Sequence, residues 1–156
     1  MQNILLVDTP DGDATLLASA LRVEGFHVEI APSAPQAREA LRRNPAVVAI
    51  IDLMLRADAG TNALELAREL KEAYPAMRVL LTSAYHLSER QLERADCGVS
   101  GFIPKPYDLV EVVGFIRSKA AGPPSARRIW PGEPASGVVA VPTLLFPVAE
   151  PGGQAR

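Results

Sequence analysis

The feature that most constrains the fold is an alternation of short apolar runs with longer amphipathic ones, which repeats five times. The apolar runs are Ile4–Val7, Val28–Ala31, Val47–Ile51, Val79–Leu81 and Gly101–Ile103. The third and fourth runs are apolar without alternation, which is typical of strands covered on both faces. Because strands that alternate with helices form a parallel sheet with right-handed crossovers, the sequence predicts an α/β fold with a doubly wound, five-stranded parallel sheet.

The amphipathic segments carry recognisable helix ends. Thr9-Pro10 predicts the N-cap and first-turn proline of the first helix, and Gly25 predicts its end. A fourth, polar-rich helix is predicted over residues 87–96. In a capping box, the N-cap side chain and the side chain three residues later each bond the other's backbone. Such boxes are predicted at Ser33 with Gln36 and at Asp108 with Glu111.

Composition separates a body from a tail near residue 118. The chain has 156 residues, which suits one domain with a sizeable core. Residues 119–156 contain seven prolines and five glycines, a composition typical of low-complexity or disordered chain. We therefore predict one domain over residues 1–118 and a low-complexity, disordered tail over residues 119–156.

Charge and the scarcity of cysteine and histidine exclude several classes of function. The formal net charge is -2, so neither nucleic acid nor an anionic membrane is expected as the main partner. One cysteine and two histidines cannot build a disulfide framework or a cysteine-rich zinc site. The apolar run that begins at Ile4 is too short for a signal peptide or a membrane span, so we expect a cytoplasmic protein.

Four polar residues stand at the ends of the first, third, fourth and fifth predicted strands. They are Asp8, Asp52, Ser83 and Lys105. Functional groups gather beyond the carboxyl ends of strands in such sheets, so we expect these side chains to share one pocket. Two neighbouring carboxylates repel unless a cation neutralises them, which favours Mg²⁺. An ammonium and a hydroxyl bind phosphoryl oxygens, and an aspartate can attack phosphorus as a nucleophile.

The segments around these residues resemble the receiver domain of two-component response regulators. They are Ile4-Leu-Leu-Val-Asp8, Val47-Val-Ala-Ile-Ile-Asp52, Val79-Leu-Leu-Thr-Ser83-Ala84 and Gly101-Phe-Ile-Pro-Lys105-Pro106. The resemblance covers residues 2–118, and the spacing from Asp8 to Gly25 and from Ser83 to Lys105 agrees with the family pattern. It implies a flavodoxin-like (βα)5 domain of the chemotaxis-regulator type, which accepts a phosphoryl group from a sensor histidine kinase.

The resemblance also implies a role for each residue at the site. Asp52 would be the phosphoacceptor, and Lys105 and Ser83 would bind the phosphoryl group. Asp8, Asp52 and the backbone carbonyl of Met54 would hold Mg²⁺.

Conformational switching would involve Ser83 and Phe102. Phe102 also has a simpler explanation, because an aromatic residue at this place can belong to the core alone. The Lys105-Pro106 bond would be cis, a form that X-Pro bonds tolerate.

Thr9 departs from the family pattern, because the second of two adjacent acids normally stands at this position. A neutral hydroxyl is a weak ligand, so we expect reduced Mg²⁺ affinity. Asp11 and Asp13 are candidate replacements, although an acid at a helix start is also explained by the helix dipole. The alternative function is therefore a pseudo-receiver, an interaction module that has weakened or lost metal binding and phosphorylation.

The leading prediction is a stand-alone, single-domain phosphoacceptor that shifts between two conformations and signals by protein contact. Its partners would be a sensor histidine kinase or a phosphotransfer protein and a downstream protein target, with no role for nucleic acid or membrane. It would not be an enzyme, beyond its own phosphotransfer and dephosphorylation. A homodimer through the face from the fourth to the fifth predicted helix is compatible with the resemblance.

Overall fold

One parallel sheet of five strands, in the order β2-β1-β3-β4-β5, organises the computed structural model, which describes residues 1–55, 61–85 and 99–122. The strands are β1 (Asn3–Val7), β2 (His27–Ala31), β3 (Val48–Asp52), β4 (Arg78–Ser83) and β5 (Gly101–Pro104). The helices are α1 (Gly12–Val23), α2 (Ala34–Arg43), α3 (Ala63–Ala73) and α4 (Leu109–Ala121). The helix predicted over residues 87–96 and most of the predicted tail lie outside the described residues.

The sheet has an apolar core on each face, which confirms the predicted doubly wound α/β fold. Leu5 and Val7 of β1 pack on one face with α2 and α3, whereas Ile4 and Leu6 pack on the other with α1 and α4. Successive side chains of a strand point to opposite faces, so a strand buried on both sides must be apolar throughout. That requirement explains the unbroken apolar runs in the sequence.

The N-cap of α1 is Asp11, so the prediction of Thr9 as N-cap was wrong. The Asp11 carboxylate accepts a hydrogen bond from the Ala14 N–H at 3.0 Å. A carboxylate at this place both satisfies a free backbone N–H and faces the positive end of the helix dipole. Pro10 therefore precedes the helix, and the Thr9 N–H instead bonds Asp8.

The complete capping box lies at α3, where Asn62 and Glu65 bond each other's backbone N–H groups. This box is not one of the two predicted from the sequence. At α2, Ser33 accepts a bond from the Gln36 N–H, but its hydroxyl donates to the Gln36 side chain, so the predicted box is only half formed. Asp108 caps α4 through the backbone N–H three residues later.

Helix α4 continues to Ala121, three residues beyond the predicted domain boundary. Lys119 and Ala120, which fall in the predicted tail, are buried. The Lys119 ammonium donates to the Ser100 carbonyl at 2.6 Å and lies 5.4 Å from the centre of the Phe115 ring. A lysine stem covers apolar surface well, which lets this position join the buried face of the helix.

Across residues 1–55, 61–85 and 99–122, no helix combines the length and the apolar character that crossing a membrane requires.

Candidate functional site

Three of the four strand-end residues meet at the carboxyl edge of the sheet. The Lys105 ammonium lies 3.1 Å from Oδ2 of Asp8 and 3.3 Å from Oδ2 of Asp52. Its single positive charge therefore bridges two carboxylates that come from different strands. This arrangement confirms that the three side chains share one pocket, as their places in the sequence predict.

Strand register explains why these residues meet. In the pairing of β1 with β3, Val7 lies beside Ile51, so the residues that follow, Asp8 and Asp52, emerge next to each other. Strand β5 lies at the edge beyond β4, and the Lys105 N–H donates to the Ser83 carbonyl at 2.9 Å. The long lysine side chain then reaches back over β4 to the two carboxylates.

The pocket holds two carboxylates but only one ammonium, so its negative charge exceeds its positive charge. Asp8 is only 1% exposed, and the side chains of Asp52 and Lys105 are each 13% exposed. Burial, together with repulsion from and hydrogen bonding to Asp52, raises the pKa of Asp8 to about 6 against the opposing effect of Lys105. Burial disfavours the Lys105 cation, but the charges of Asp52 and Asp8 outweigh it and raise the pKa of Lys105.

Backbone N–H groups donate to the oxygen of each carboxylate that does not bond Lys105. The Thr9 N–H donates to Oδ1 of Asp8 at 2.7 Å, and the Met54 N–H donates to Oδ1 of Asp52 at 3.1 Å. A carboxylate oxygen has two lone pairs, so these bonds leave acceptor capacity on each oxygen. The two side chains are thereby fixed in orientation without being saturated.

The donor set fits a hard divalent cation that keeps most of its water. Two carboxylates and one ammonium leave one uncompensated negative charge in a nearly closed pocket, and Mg²⁺ prefers a site with one or two carboxylates plus waters. Among the described residues, no third acidic, histidine or cysteine side chain joins them. Asp11 is engaged at the helix N-cap and Asp13 is exposed in the first turn of α1, so neither replaces the acid that Thr9 displaces.

Ser83 is fully buried, and its hydroxyl faces a backbone group. The Ser83 oxygen accepts a hydrogen bond from the Tyr85 N–H at 2.9 Å. Its link to the charged group runs through the main chain, where its carbonyl accepts the Lys105 N–H. A role for the hydroxyl toward a phosphoryl group stays a prediction.

Phe102 is 1% exposed and belongs to the core on the α2–α3 face of the sheet. This position agrees with the simpler explanation, that of a core aromatic residue. Its role as a switch stays a prediction. The Lys105-Pro106 bond is cis, as the resemblance implied.

Tyr107 is a neighbour of the site that sequence reasoning missed. The Thr82 hydroxyl donates to the Ile103 carbonyl at 2.8 Å, so its 3.1 Å contact with Tyr107 is one in which the phenol donates. Burial raises the pKa of Tyr107 to about 12, which keeps the phenol protonated at neutral pH. The bond ties the segment after Lys105 to strand β4.

Replacing Tyr107 by phenylalanine should lower the free energy of unfolding by about 1 kcal/mol, because one partly buried hydrogen bond is lost while Thr82 keeps its bond to Ile103. Urea unfolding measures the change. Tyr74→Phe serves as the matched control, because Tyr74 packs against the core and no hydrogen bond of its phenol is found among the described residues. Equal losses in the two variants would show that the Tyr107 bond contributes nothing specific.

An ion pair fixes the far side of the loop that follows Asp52. Arg38 of α2 binds Glu69 of α3 through two bonds of 2.6 and 2.9 Å, and also donates to the Thr61 hydroxyl at 3.1 Å. Thr61 immediately precedes the N-cap of α3. The loop, whose residues 56–60 lie outside the described part, is thus anchored at Thr61, directly before α3.

Comparisons with known proteins identify relatives that match about three quarters of the chain. The family model for the response regulator receiver domain matches residues 4–117. The chain is 26% identical over 123 residues to the photosynthetic apparatus regulatory protein RegA of Rhodobacter capsulatus, covering 79% of this chain and 65% of RegA. It is 30% identical over 115 residues to the probable transcriptional regulatory protein TcrX of Mycobacterium tuberculosis, covering 74% of this chain and 48% of TcrX. The chain therefore spans less than two thirds of either relative.

Solved structures agree on the fold. A response regulator from Thermotoga maritima superposes with a TM-score of 0.67 at 24% identity, covering 78% of this chain and 99% of that one. NtrX from Brucella abortus, in complex with ADP, superposes with a TM-score of 0.65 at 26% identity, covering 76% of this chain and 26% of NtrX. These likenesses confirm the flavodoxin-like architecture.

Proposed function

Because this chain belongs to the response regulator receiver domain family, we propose that Asp52 accepts a phosphoryl group from a sensor histidine kinase or a phosphotransfer protein. Receiver domains are signalling switches of two-component systems, and the family typically uses Mg²⁺. The observation that carries the proposal is the Lys105 ammonium held between Asp8 and Asp52. Asp52 is the more accessible of the two carboxylates, at 13% side-chain exposure against 1% for Asp8.

The chemistry is a displacement at phosphorus. A carboxylate oxygen of Asp52 attacks the phosphorus of a phosphohistidine, a P–O bond forms, and the P–N bond breaks with its electron pair returning to the imidazole. The product is an acyl phosphate, and no oxidation or reduction occurs. The same attack on acetyl phosphate breaks a P–O bond and releases acetate.

Lys105 is placed to bind the arriving group. A phosphorylated Asp52 carries about two negative charges where the free carboxylate carries one, so the pocket must supply cationic partners. The Lys105 ammonium already lies at hydrogen-bond distance from Asp52 and can donate to a phosphoryl oxygen through a charge-assisted bond. Movement of the lysine toward that oxygen would weaken its bond to Asp8.

Asp8 and Asp52 would hold Mg²⁺, together with the backbone carbonyl of Met54. When bound, the ion would neutralise charge on the transferring group and on the two carboxylates. Because Thr9 supplies no second acid, we expect Mg²⁺ affinity below that of a site with three carboxylates. Phosphorylation would then need a higher Mg²⁺ concentration than at such a site.

Output would run through protein contact. Phosphorylation would shift the domain between two conformations, with Ser83 and Phe102 as the residues that report the change at β4 and β5. RegA and TcrX are described as regulatory proteins, and the chain matches only part of each. The downstream target of this chain is therefore proposed only as a protein.

Incubation with acetyl phosphate and Mg²⁺, followed by intact mass spectrometry, tests the proposal. The wild-type chain should gain the mass of one phosphoryl group, and Asp52→Asn should gain none. Asp11→Asn is the matched control, because it removes a nearby carboxylate that serves as a helix cap. If the wild-type chain gains no adduct at any Mg²⁺ concentration, the pseudo-receiver is the better description, and Thr9 is the residue that favours it.

A further inference from the structure

A groove with a volume of about 400 Å³ lies between α1 and α4, on the sheet face opposite α2 and α3. Val23 and Val110 line its two sides, and Gly114 lines it where an added Cβ would meet no other atom within 4 Å. An ion pair between Glu24 and Arg117 also lines the groove. The groove is thus lined mainly by apolar side chains, together with one ion pair.

The exposed apolar side chains of the fold concentrate here. Val23 is 83% exposed and Val110 is 85% exposed, and both line the groove, whereas the other large exposed apolar side chains of the described residues are Leu16, Met1 and Met54. Leu16 and Val23 stand seven positions apart on α1, so they share one stripe of the helix. Exposed apolar surface gathered around a groove is a recognised mark of a binding surface.

We propose that residues 138–148 of this same chain occupy the groove between α1 and α4. This segment reads Val-Val-Ala-Val-Pro-Thr-Leu-Leu-Phe-Pro-Val, and residues 134–149 carry no charged side chain. It is the longest apolar stretch beyond α4, and its composition matches the walls of the groove. Pro142 and Pro147 lack backbone N–H groups and disfavour both a helix and a strand within a sheet. A surface groove can bind such a segment although it forms neither a helix nor a strand of a sheet.

The chain leaves the fold next to this groove. Helix α4 forms one wall and ends at Ala121, with Gly122 as its C-cap. A 13-residue helix is about 20 Å long, because it rises 1.5 Å per residue. Residues 123–137 can reach up to about 50 Å when extended, so the connection is more than long enough to return to Val110.

Tethering favours this occupant over a second copy of the chain. A segment joined by a short linker meets its site at an effective concentration of about a millimolar, far above ordinary concentrations of free protein. We expect a low affinity between the groove and the segment, because both surfaces are only weakly apolar. At such an affinity, the effective concentration decides whether the segment is bound. The contact covers the α1–α4 face, so any protein that uses this face must displace the segment. The proposal stands independently of phosphorylation at Asp52.

A spin label tests the contact in the full chain. Cys97 is the only cysteine, so Cys97→Ser with Ala149→Cys places one label directly after the segment. In a ¹⁵N-labelled sample, the label should broaden the amide signals of Val110 and Gly114 and leave those of α2 and α3 sharp. Adding Val110→Asp should remove the broadening without unfolding the protein, because this side chain is 85% exposed.

Two results would overturn the proposal. Signals of α1 and α4 that stay as sharp as those of α2 would show that the segment does not visit the groove. A mixture of spin-labelled ¹⁴N chain with unlabelled ¹⁵N chain provides the second check. Broadening of the Val110 and Gly114 signals in this mixture would come from another molecule, and the occupant would then be a second copy. Broadening confined to the singly labelled chain and sensitive to Val110→Asp would support the intramolecular contact.

Discussion

Replacing Asp8 by asparagine should stabilise the protein at neutral pH by about 1–3 kcal/mol, because the wild-type fold buries a carboxylate that resists ionisation. The pKa of Asp8 is raised from 3.8 to about 6 by burial and by Asp52. Asparagine has nearly the same shape but only one acceptor oxygen, so it can accept the bond from Thr9 or the bond from Lys105, and not both. The loss of attraction to Lys105 offsets part of the gain, which is why a range is expected.

The pH dependence follows from the direction of this shift. Below pH 3.8 Asp8 is protonated in both states, and above about pH 6 it is ionised in both, so its effect on stability changes between these values. Within that window the folded state binds the extra proton, and Asp8 lowers stability as the pH rises. The stability advantage of Asp8→Asn should therefore be small near pH 4 and largest above pH 6.

Urea unfolding in EDTA at several pH values measures this difference. Asp13→Asn is the matched control, because Asp13 is exposed and should change stability by less than about 0.5 kcal/mol. Millimolar Mg²⁺ should stabilise the wild-type chain and have a smaller effect on Asp8→Asn, since the variant lacks one of the two carboxylates. A wild-type chain as stable as the variant at pH 7.5 in EDTA would contradict the charge deficit inferred for the pocket.

Replacing Lys105 by glutamine should have the opposite effect, a loss of about 2–4 kcal/mol at pH 7.5 without Mg²⁺, because two buried carboxylates then lack their cationic partner. Glutamine keeps much of the length of the side chain, so the main change is the lost charge. Mg²⁺ should restore more stability to Lys105→Gln than to the wild-type chain, since the ion no longer competes with the ammonium.

Two comparisons make this result specific. Arg43→Gln breaks an ion pair with Glu29 that is half exposed, and it should cost far less stability than Lys105→Gln. Asp8→Asn should stabilise the Lys105→Gln variant more than it stabilises the wild-type chain, because without the ammonium the repulsion between the two carboxylates is larger. Simple additivity of the two substitutions would show that Asp8 and Lys105 do not act on each other.

Regular features of the fold were predictable from the sequence because they depend on long patterns. A strand buried on both faces needs several successive apolar residues, so the run ending at Asp52 could be recognised at once. The convergence of Asp8, Asp52 and Lys105 followed from the same pattern, since the carboxyl ends of parallel strands share one edge. The parallel sheet brings these three side chains to hydrogen-bond distance.

Features that depend on a single local choice were less predictable. Thr9 and Asp11 are both acceptable N-caps, and the observed choice also depends on the Asp8 carboxylate that takes up the Thr9 N–H. The Tyr107 bond joins residues that are 25 positions apart, and no short motif encodes it. Lys119 reads as a surface residue until the nearby Ser100 carbonyl and Phe115 ring are known.

The most direct measurement locates the phosphoryl group itself. After treatment with acetyl phosphate and Mg²⁺, borohydride reduces an aspartyl phosphate to homoserine, and tandem mass spectrometry of the digested chain identifies the converted position. We predict homoserine at position 52 alone. In Lys105→Gln, the yield of homoserine should fall to a small fraction of the wild-type yield. Homoserine at position 8, or no homoserine under any Mg²⁺ concentration, would contradict this prediction.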